Sequence, residues 1–186
     1  ELCLISRTRF GPTGYSLAMS SYDTIVLGAG AAGLLCAFTA ARRGRRVLVL
    51  ERANKPGKKI LMSGGGRCNF TNLHAAPERF SSANPHFCKS ALARYSQWDF
   101  IELVRKHDIE YYEKETVNGL SGQLFCRQSS KQIVALLLAE CAAAGVDIRL
   151  DCETAAVDRG EGFLLQTNQG RFGAGTLVVA CGGLSV

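Results

Sequence analysis

Blocks of apolar residues open the chain's ordered part as strand, turn, helix and strand. An apolar run over 24–27 precedes a glycine turn at 28–30, small and apolar residues over 31–43 have helical length, Gly44 stops them, and a second apolar run covers 47–50. This pattern predicts a βαβ unit with short connections. Pro56, Gly57 and the run Gly64, Gly65, Gly66 then predict a long glycine-rich loop, and long ordered loops are usually functional. A helical stretch is expected from Pro85, restarting at Ser96, where Ser96 and Asp99 have capping-box spacing ahead of Phe100, Ile101, Leu103 and Val104.

Further along, 109–112 reads as a strand and 117–125 as a hairpin with turns at Asn118-Gly119 and Ser121-Gly122. Ser129 or Ser130 then caps a helix whose apolar residues Ile133, Val134, Leu137, Cys141 and Ala142 recur at helical spacing up to Gly145. Residues 146–150, 154–157, 163–167 and 176–180 read as strands, the last apolar enough to be covered on both faces. Residues 1–18 show no clear period and are expected to be an upstream extension without regular structure, with Met19 as the start of the ordered chain. They lack the long apolar core of a signal peptide. Residues 19–186 are expected to form part of one domain, because an apolar strand leading into Gly182-Gly183 normally enters another element.

Composition narrows the class. The 186 residues are 47% hydrophobic and 20% charged, as in globular proteins, and disordered, collagen-like and solenoid readings are excluded. The uncharged stretch 24–41 contains three glycines and reads as a buried strand and helix instead of a membrane span. Eight cysteines without a CxxC pair argue against zinc or thioredoxin chemistry and fit a reducing, cytoplasmic setting. The net charge of +6 is uneven: residues 42–67 hold nine Lys or Arg against Glu51 alone, which leaves −2 for the remainder. That concentration points to an anionic partner, either a phosphate-bearing cofactor or a nucleic acid.

The chemistry lies in GAGAAG. Gly28 permits the tight turn, Gly30 lets backbone approach a pyrophosphate, and Gly33 lets helix and strand pack closely. Ala29, Ala31 and Ala32 complete a helix N-terminus whose free N–H groups suit that pyrophosphate. Glu51, 23 residues after Gly28, stands where a carboxylate accepts ribose hydroxyls, and it disfavours a 2′-phosphate. NAD or the ADP half of FAD remain. The loop GKKILMSGGGRCNFTN over 57–72 adds three consecutive glycines beside the donors Arg67, Asn69, Thr71 and Asn72.

This loop resembles that of the BaiN-type flavoproteins, also called aminoacetone-oxidase-family FAD-binding enzymes or NAD(P)/FAD-dependent oxidoreductases. The resemblance spans about 22–185 and includes GQLF at 122–125 and LVVACGGLS at 177–185, with Cys126 where members have Pro and Cys181 where they have Thr. It implies a Rossmann-like α/β fold of the GR2 FAD-binding type, three-layered, with a central parallel sheet and an added antiparallel element, here truncated. It also implies a substrate domain and a C-terminal return segment beyond these residues. FAD is the implied cofactor, with NAD(P)H as a candidate co-substrate. The implied cofactor-binding set is Gly28, Ala29, Gly30, Ala31, Ala32, Gly33, Glu51, Arg52, Lys58, Ser63, Gly64, Gly65, Gly66, Arg67, Asn69, Thr71, Thr154, Ala155, Ala180, Gly182 and Gly183.

The activity implied is electron transfer by the flavin, either reduction of an enone-like or sterol-like substrate with NAD(P)H or oxidation of a small amine with dioxygen. The expected partner is a small-molecule substrate, with no nucleic acid and no membrane. The alternative is a non-catalytic nucleotide- or RNA-binding module using the basic residues 42–67, its RNA form weakened by the absence of aromatic residues among Arg42, Arg43, Arg45 and Arg46. Cys68 beside Arg67 invites a low-pKa thiol, against the simpler reading of packing. His74, His86 and His107 lack metal-ligand spacing, and no GxSxG hydrolase motif occurs.

Overall fold

The computed structural model describes residues 3–5, 20–117 and 119–183. The chain forms two compact units, Glu1–Lys58 with Leu137–Val186, and Lys59–Leu136. The first is built on a seven-stranded sheet. Strands β1 (Cys3–Ile5), β2 (Ser20–Leu27), β3 (Val47–Leu50), β7 (Asp147–Arg149), β8 (Thr154–Arg159), β9 (Phe163–Thr167) and β10 (Gly170–Val179) take the order β7-β3-β2-β10-β9-β8, with β1 also on β10. β7, β3, β2 and β10 run parallel, while β9, β8 and β1 are antiparallel.

Period-two alternation explains why both faces of the parallel strands are apolar. Ile25, Leu48, Leu50 and Leu177 join Cys152, Phe163, Leu165, Phe172 and Ala174 in one buried cluster. Val26, Val47, Val49 and Val178 alternate with them, pointing to the opposite face, and are equally buried. Helix α1 (Ala31–Ala41) packs against β2 and β3 and buries Gly33, Leu34, Ala37 and Phe38, a stripe at helical spacing. Burying a Leu or Phe of this kind contributes about 1.5–3 kcal/mol. Helix α5 (Lys131–Ala143) ends at Gly145 in a left-handed conformation. Its C-terminal half belongs to this unit: the Cys141 thiol donates to Leu34 O at 3.5 Å, and Glu140 pairs with Arg42.

The second unit centres on a three-stranded antiparallel sheet in the order β4-β6-β5, from β4 (Asn69–Asn72), β5 (Tyr111–Thr116) and β6 (Gly119–Cys126). The chain there also forms helices α2 (Lys58–Met62), α3 (Lys89–Arg94) and α4 (Gln97–Lys106), and α4 packs against β4. α4 begins at Ser96 with the expected capping box: Asp99 Oδ2 accepts from the Ser96 N–H at 2.6 Å and from its hydroxyl at 2.7 Å. These bonds hold the Asp99 carboxyl below its ordinary pKa. Phe70 on β4 meets Phe100 of α4 at 6.1 Å and Tyr111 of β5 at 5.6 Å, while Ile101 and Val104 are buried.

Five expectations change. The loop after β3 contains a short helix, α2, running into a 3-10 turn at Ser63–Gly66. The helix expected from Pro85 starts only at Lys89: the residues before it form turns, with Phe87 N–H donating to Asn84 O and Lys89 N–H to His86 O, and the first helical bond runs from Leu92 N–H to Cys88 O. The hairpin joins 111–116 to 119–126, and Ser121-Gly122 is no turn: it lies within β6 where the register shifts, with Gly122 at φ +74° and its N–H donating to Glu113 Oε1. Asn118 lies outside the described residues. β10 spans ten residues instead of five and is flanked by β2 on one side and by β9 and β1 on the other. Within 1–18, Cys3–Ile5 pair with Leu177–Val179, and the rest of that stretch lies outside the described residues.

Candidate functional site

The glycine turn between β2 and α1 is fixed by its neighbours. Gly28 donates to Leu50 O and Ala180 to Leu27 O, each at 2.8 Å, so the ends of three parallel strands meet there. Gly28 has φ +102°, and a Cβ on it would lie 2.5 Å from Ala180 O. A Cβ on Gly33 would lie 1.9 Å from Gly28 O. Both positions therefore need glycine for packing. Gly30 differs, because a Cβ there would meet nothing within 4 Å. It faces open space at the start of α1, where no side chain caps the helix and no acid occupies the first turn. First-turn N–H groups have no intrahelical acceptors, so an anion with close backbone access fits this end.

Glu51 stands at the end of β3 and holds the turn. Its Oε2 accepts from Ala29 N–H and its Oε1 from Ala53 N–H, each at 2.8 Å. Ala29 O in turn accepts from Gly57 N–H at 2.8 Å, which ties the segment leading to Lys58 back to the glycine turn. Each carboxylate oxygen keeps a further lone pair, so ribose hydroxyls can still be accepted. The sequence pointed to Glu51 as a ribose ligand only; its grip on Ala29 is a three-dimensional fact with no spacing signature.

Of the expected set, the structure brings together Gly28, Ala29, Gly33, Glu51 and Ala180 at this turn, with Gly30, Ala31 and Ala32 at the start of α1. Arg52 and Lys58 are exposed, and Gly182 and Gly183 follow Ala180 in the chain. Cys181 is exposed, and its thiol donates to Leu27 O at 3.7 Å, so the residue standing for Thr does find a side-chain partner. Thr154 and Ala155 are one step removed. Cys152 N–H donates to Glu51 O and Asp151 N–H to Ala53 O, but Thr154 itself starts β8, opposite Thr167 of β9.

The glycine loop belongs to the second unit. Gly64, Gly65 and Gly66 all have left-handed backbones, at φ +57°, +63° and +83°. A Cβ on Gly64 would lie 2.6 Å from the Phe125 ring and 2.8 Å from Asn69 N, while Gly65 and Gly66 face open space. Ser63 donates to Ile60 O. Arg67 is exposed, and its carbonyl accepts from Cys126 N–H. Asn69, with its amide in the orientation that satisfies both ends, donates to Thr71 O and Leu124 O. Asn72 is used internally, accepting from His74 N–H and donating to Ser121 O.

Ser130 was legible only as a helix cap. Its N–H donates to Gly66 O at 2.7 Å and its hydroxyl to Leu61 O at 3.1 Å, so it anchors the glycine loop. Ser129 supplies the cap instead, its hydroxyl accepting from Lys131 N–H. The thiol reading of Cys68 fails, because the side chain is buried and desolvation raises its pKa despite the neighbouring Ser63 hydroxyl. Burial likewise pushes Cys126 up to about 11. Cys36, Cys68, Cys88, Cys126, Cys141, Cys152 and Cys181 are free thiols. Among the described residues no group of His, Cys, Asp or Glu could hold a metal ion, and no helix is long and apolar enough to cross a membrane.

With this geometry in place, comparison with known proteins is specific. The HI0933-like protein Rossmann domain matches residues 22–186. The chain is 53% identical over 169 residues to the ribosomal RNA dihydrouridine synthase of Escherichia coli (strain K12), covering 90% of this chain and 41% of that protein. It is 28% identical over 162 residues to the 3-dehydro-bile acid delta(4,6)-reductase of Clostridium scindens, covering 85% and 38%. The chain thus spans about two-fifths of the length of these curated relatives. Among solved structures it resembles glycine oxidase from Geobacillus kaustophilus, with a TM-score of 0.61 at 21% identity over 87% of this chain and 55% of that one. That likeness is one of fold.

Proposed function

The chain belongs to the HI0933-like Rossmann family, and from that premise we propose that it is the FAD-binding part of a reductase that hydrogenates uracil bases in ribosomal RNA. The observation that carries the cofactor reading is the open, uncapped turn at Gly30, with Glu51 fixed beside it. The substrate class rests on the names of the relatives. Dihydrouridine is uridine with two hydrogens added across a C=C bond conjugated to a carbonyl, and the bile-acid relative is named as a reductase of a 3-oxo compound. Both fit the enone reduction that the BaiN-type resemblance implies, and NAD(P)H is the proposed reductant. The proposal departs from the expected small-molecule substrate by placing the enone inside an RNA base.

Bound FAD would supply hydride transfer, which no side chain of the chain can perform. The residues present fit its ADP end. The first-turn N–H groups of Ala31, Ala32 and Gly33 would take the pyrophosphate, and Gly30 would admit it without a side chain in the way. Glu51 would accept ribose hydroxyls while keeping Ala29 in position, and Arg52 and Lys58 would add positive charge nearby. Ser63, Gly64, Gly65, Gly66, Arg67, Asn69 and Thr71 remain cofactor candidates of the second unit, and Thr154 and Ala155 of the first.

The test is dihydrouridine in ribosomal RNA, measured by mass spectrometry of nucleosides from an E. coli strain lacking its own relative. Expression of a form extended to the full length of the relatives should restore the modification, and Gly30→Val should abolish the restoration. Ribosomal RNA that stays free of the added dihydrouridine, despite a purified protein with a flavin spectrum, would reject the substrate reading.

A further inference from the structure

Four aromatic side chains of the second unit stand in solvent within a short stretch. Phe80 is 44% exposed, Phe87 55%, Tyr95 37% and Trp98 56%. The stretch is ordered by its own hydrogen bonds. Ser82 Oγ accepts from Asn84 N–H, Asn84 Oδ1 from His86 N–H, and Asn84 O from Phe87 N–H. Phe80 and Phe87 meet edge to face with centroids 6.3 Å apart. Gln97 Nε2 donates to Leu73 O at 3.0 Å, so Trp98, on the first turn of α4, starts from a fixed position. Exposed rings on this scale mark a surface used for binding.

The charge along the stretch that holds Phe80, Phe87 and Tyr95 is net positive. Residues 73–96 carry Arg79, Lys89 and Arg94 against Glu78, all four exposed, for a net +2. Residues 97–117, by contrast, carry six acids against three cations. Exposed rings interleaved with cations are the combination that binds unpaired nucleic acid: bases stack on the rings, and the cations follow the phosphates. The arginine cluster 42–46 of the first unit lacks this combination. Arg42 lies over the Phe38 ring at 4.8 Å and is paired with Glu140, and no exposed aromatic residue is interleaved with the others.

Resting on the reading that the enzyme acts on ribosomal RNA, we propose that the stretch 79–98 is an RNA-binding surface, on which Phe80, Phe87 and Trp98 stack unpaired bases while Arg79, Lys89 and Arg94 contact the backbone. The surface takes unpaired nucleotides because only a splayed base offers its face to a ring. It recognises RNA without reading sequence, which suits a substrate presented by an already structured ribosomal RNA.

Trp98 is the single tryptophan of the chain, so its emission reports this surface directly. The 186-residue chain is titrated with a twelve-nucleotide oligouridylate at low salt, and with a duplex RNA of the same length. The expected result is saturable quenching of Trp98 by the single strand and much weaker quenching by the duplex. Phe80→Leu with Phe87→Leu keeps apolar bulk but removes two stacking faces, and should weaken binding about five- to a hundredfold. Arg79→Ala and Arg94→Ala should each flatten the salt dependence by roughly one phosphate contact. Circular dichroism checks that the variants fold, and the unsubstituted chain's quenching stands by itself if one does not.

Absence of quenching, equal quenching by the duplex, or parental affinity in the Phe double variant would each overturn the proposal. So would shielding of Trp98 from acrylamide, without RNA, in a form extended to the full length of the relatives, since the rings would then be an internal face. The enzymatic reading has its own readout. Dihydrouridine restored in cells equally by parent and by the Phe80, Phe87 and Trp98 leucine variant would sink the surface and leave the function standing. Single-strand quenching without any restored dihydrouridine would keep the surface and reject the function.

Discussion

Replacing Glu51 separates the turn-holding role that the structure shows from the ribose contact proposed for the same carboxylate. In the ligand-free chain, Glu51→Ala removes the acceptor of Ala29 N–H, which belongs to a residue with 0% exposure, and of Ala53 N–H, which water can reach. An orphaned buried N–H costs about 1–3 kcal/mol, and loss of the second, wetter bond about 0.5–1 kcal/mol. The expected destabilisation is therefore about 1.5–4 kcal/mol before any ligand is added. Glu51→Gln keeps one oxygen, can serve Ala29, and turns an amide donor toward Ala53, so it should lose about 1 kcal/mol. Urea unfolding followed by circular dichroism measures both; with a slope near 2 kcal/mol/M, the Ala variant's midpoint should fall by roughly 1–2 M.

The second duty is read by titrating ADP calorimetrically at a temperature where each variant is folded. A charge-assisted bond from a ribose hydroxyl contributes about 1.5–3 kcal/mol, so both variants should bind ADP about ten- to a hundredfold more weakly. The two readouts need not move together. An Ala variant within 0.5 kcal/mol of the parent would refute the turn-holding role, whatever ADP does. A loss of stability with unchanged ADP affinity in Glu51→Gln would leave Glu51 as a structural residue and remove it from the binding set.

Two of the three fingerprint glycines should behave oppositely. Gly30→Val should keep the circular dichroism spectrum and lose ADP binding, whereas Gly33→Ala, whose Cβ would lie 1.9 Å from Gly28 O, should cost about 3 kcal/mol or more in urea unfolding. Cys126 and Cys141, both raised from 9.0 to about 11 by burial, should resist a thiol reagent at pH 8 in the folded chain, while exposed Cys181 reacts. Their native thiols stay protonated where unfolded ones ionise, so their stabilising effect should be complete below about pH 9 and fall as pH rises toward 11, by at most about 2–3 kcal/mol each. Arg42→Ala should lower stability, because Glu140 is only 3% exposed and loses its guanidinium partner, and should leave oligouridylate affinity unchanged.

What could be read from the sequence was encoded within a few residues. The βαβ start, the Ser96–Asp99 box and the helix ending at Gly145 depend on spacings of two to four along the chain, and each is present in the structure. The features that were missed depend on partners far away in sequence. β10 reaches back to Gly170 because its first half has β9 as an antiparallel neighbour, a pairing that apolar content alone does not announce. Ser121-Gly122 has the composition of a turn, yet its conformation is absorbed by a register shift opposite Glu113. Ser130 reads as a cap but spends its N–H on Gly66 and its hydroxyl on Leu61.

Glu51 shows most clearly why a site is harder to read than a fold. Its position after the second strand marks it as a candidate ribose contact, and nothing in that spacing reveals that the same carboxylate holds Ala29. If it also binds the ribose, one sequence signal stands for two roles, and losing the carboxylate would loosen the loop that presents the helix terminus. The coupling predicts that ADP and urea stability report on each other: bound ADP should raise the urea midpoint of the parent chain by more than that of Glu51→Gln at equal ligand concentration. Equal shifts would mean that Glu51→Gln binds ADP as tightly as the parent, and would remove the ribose contact.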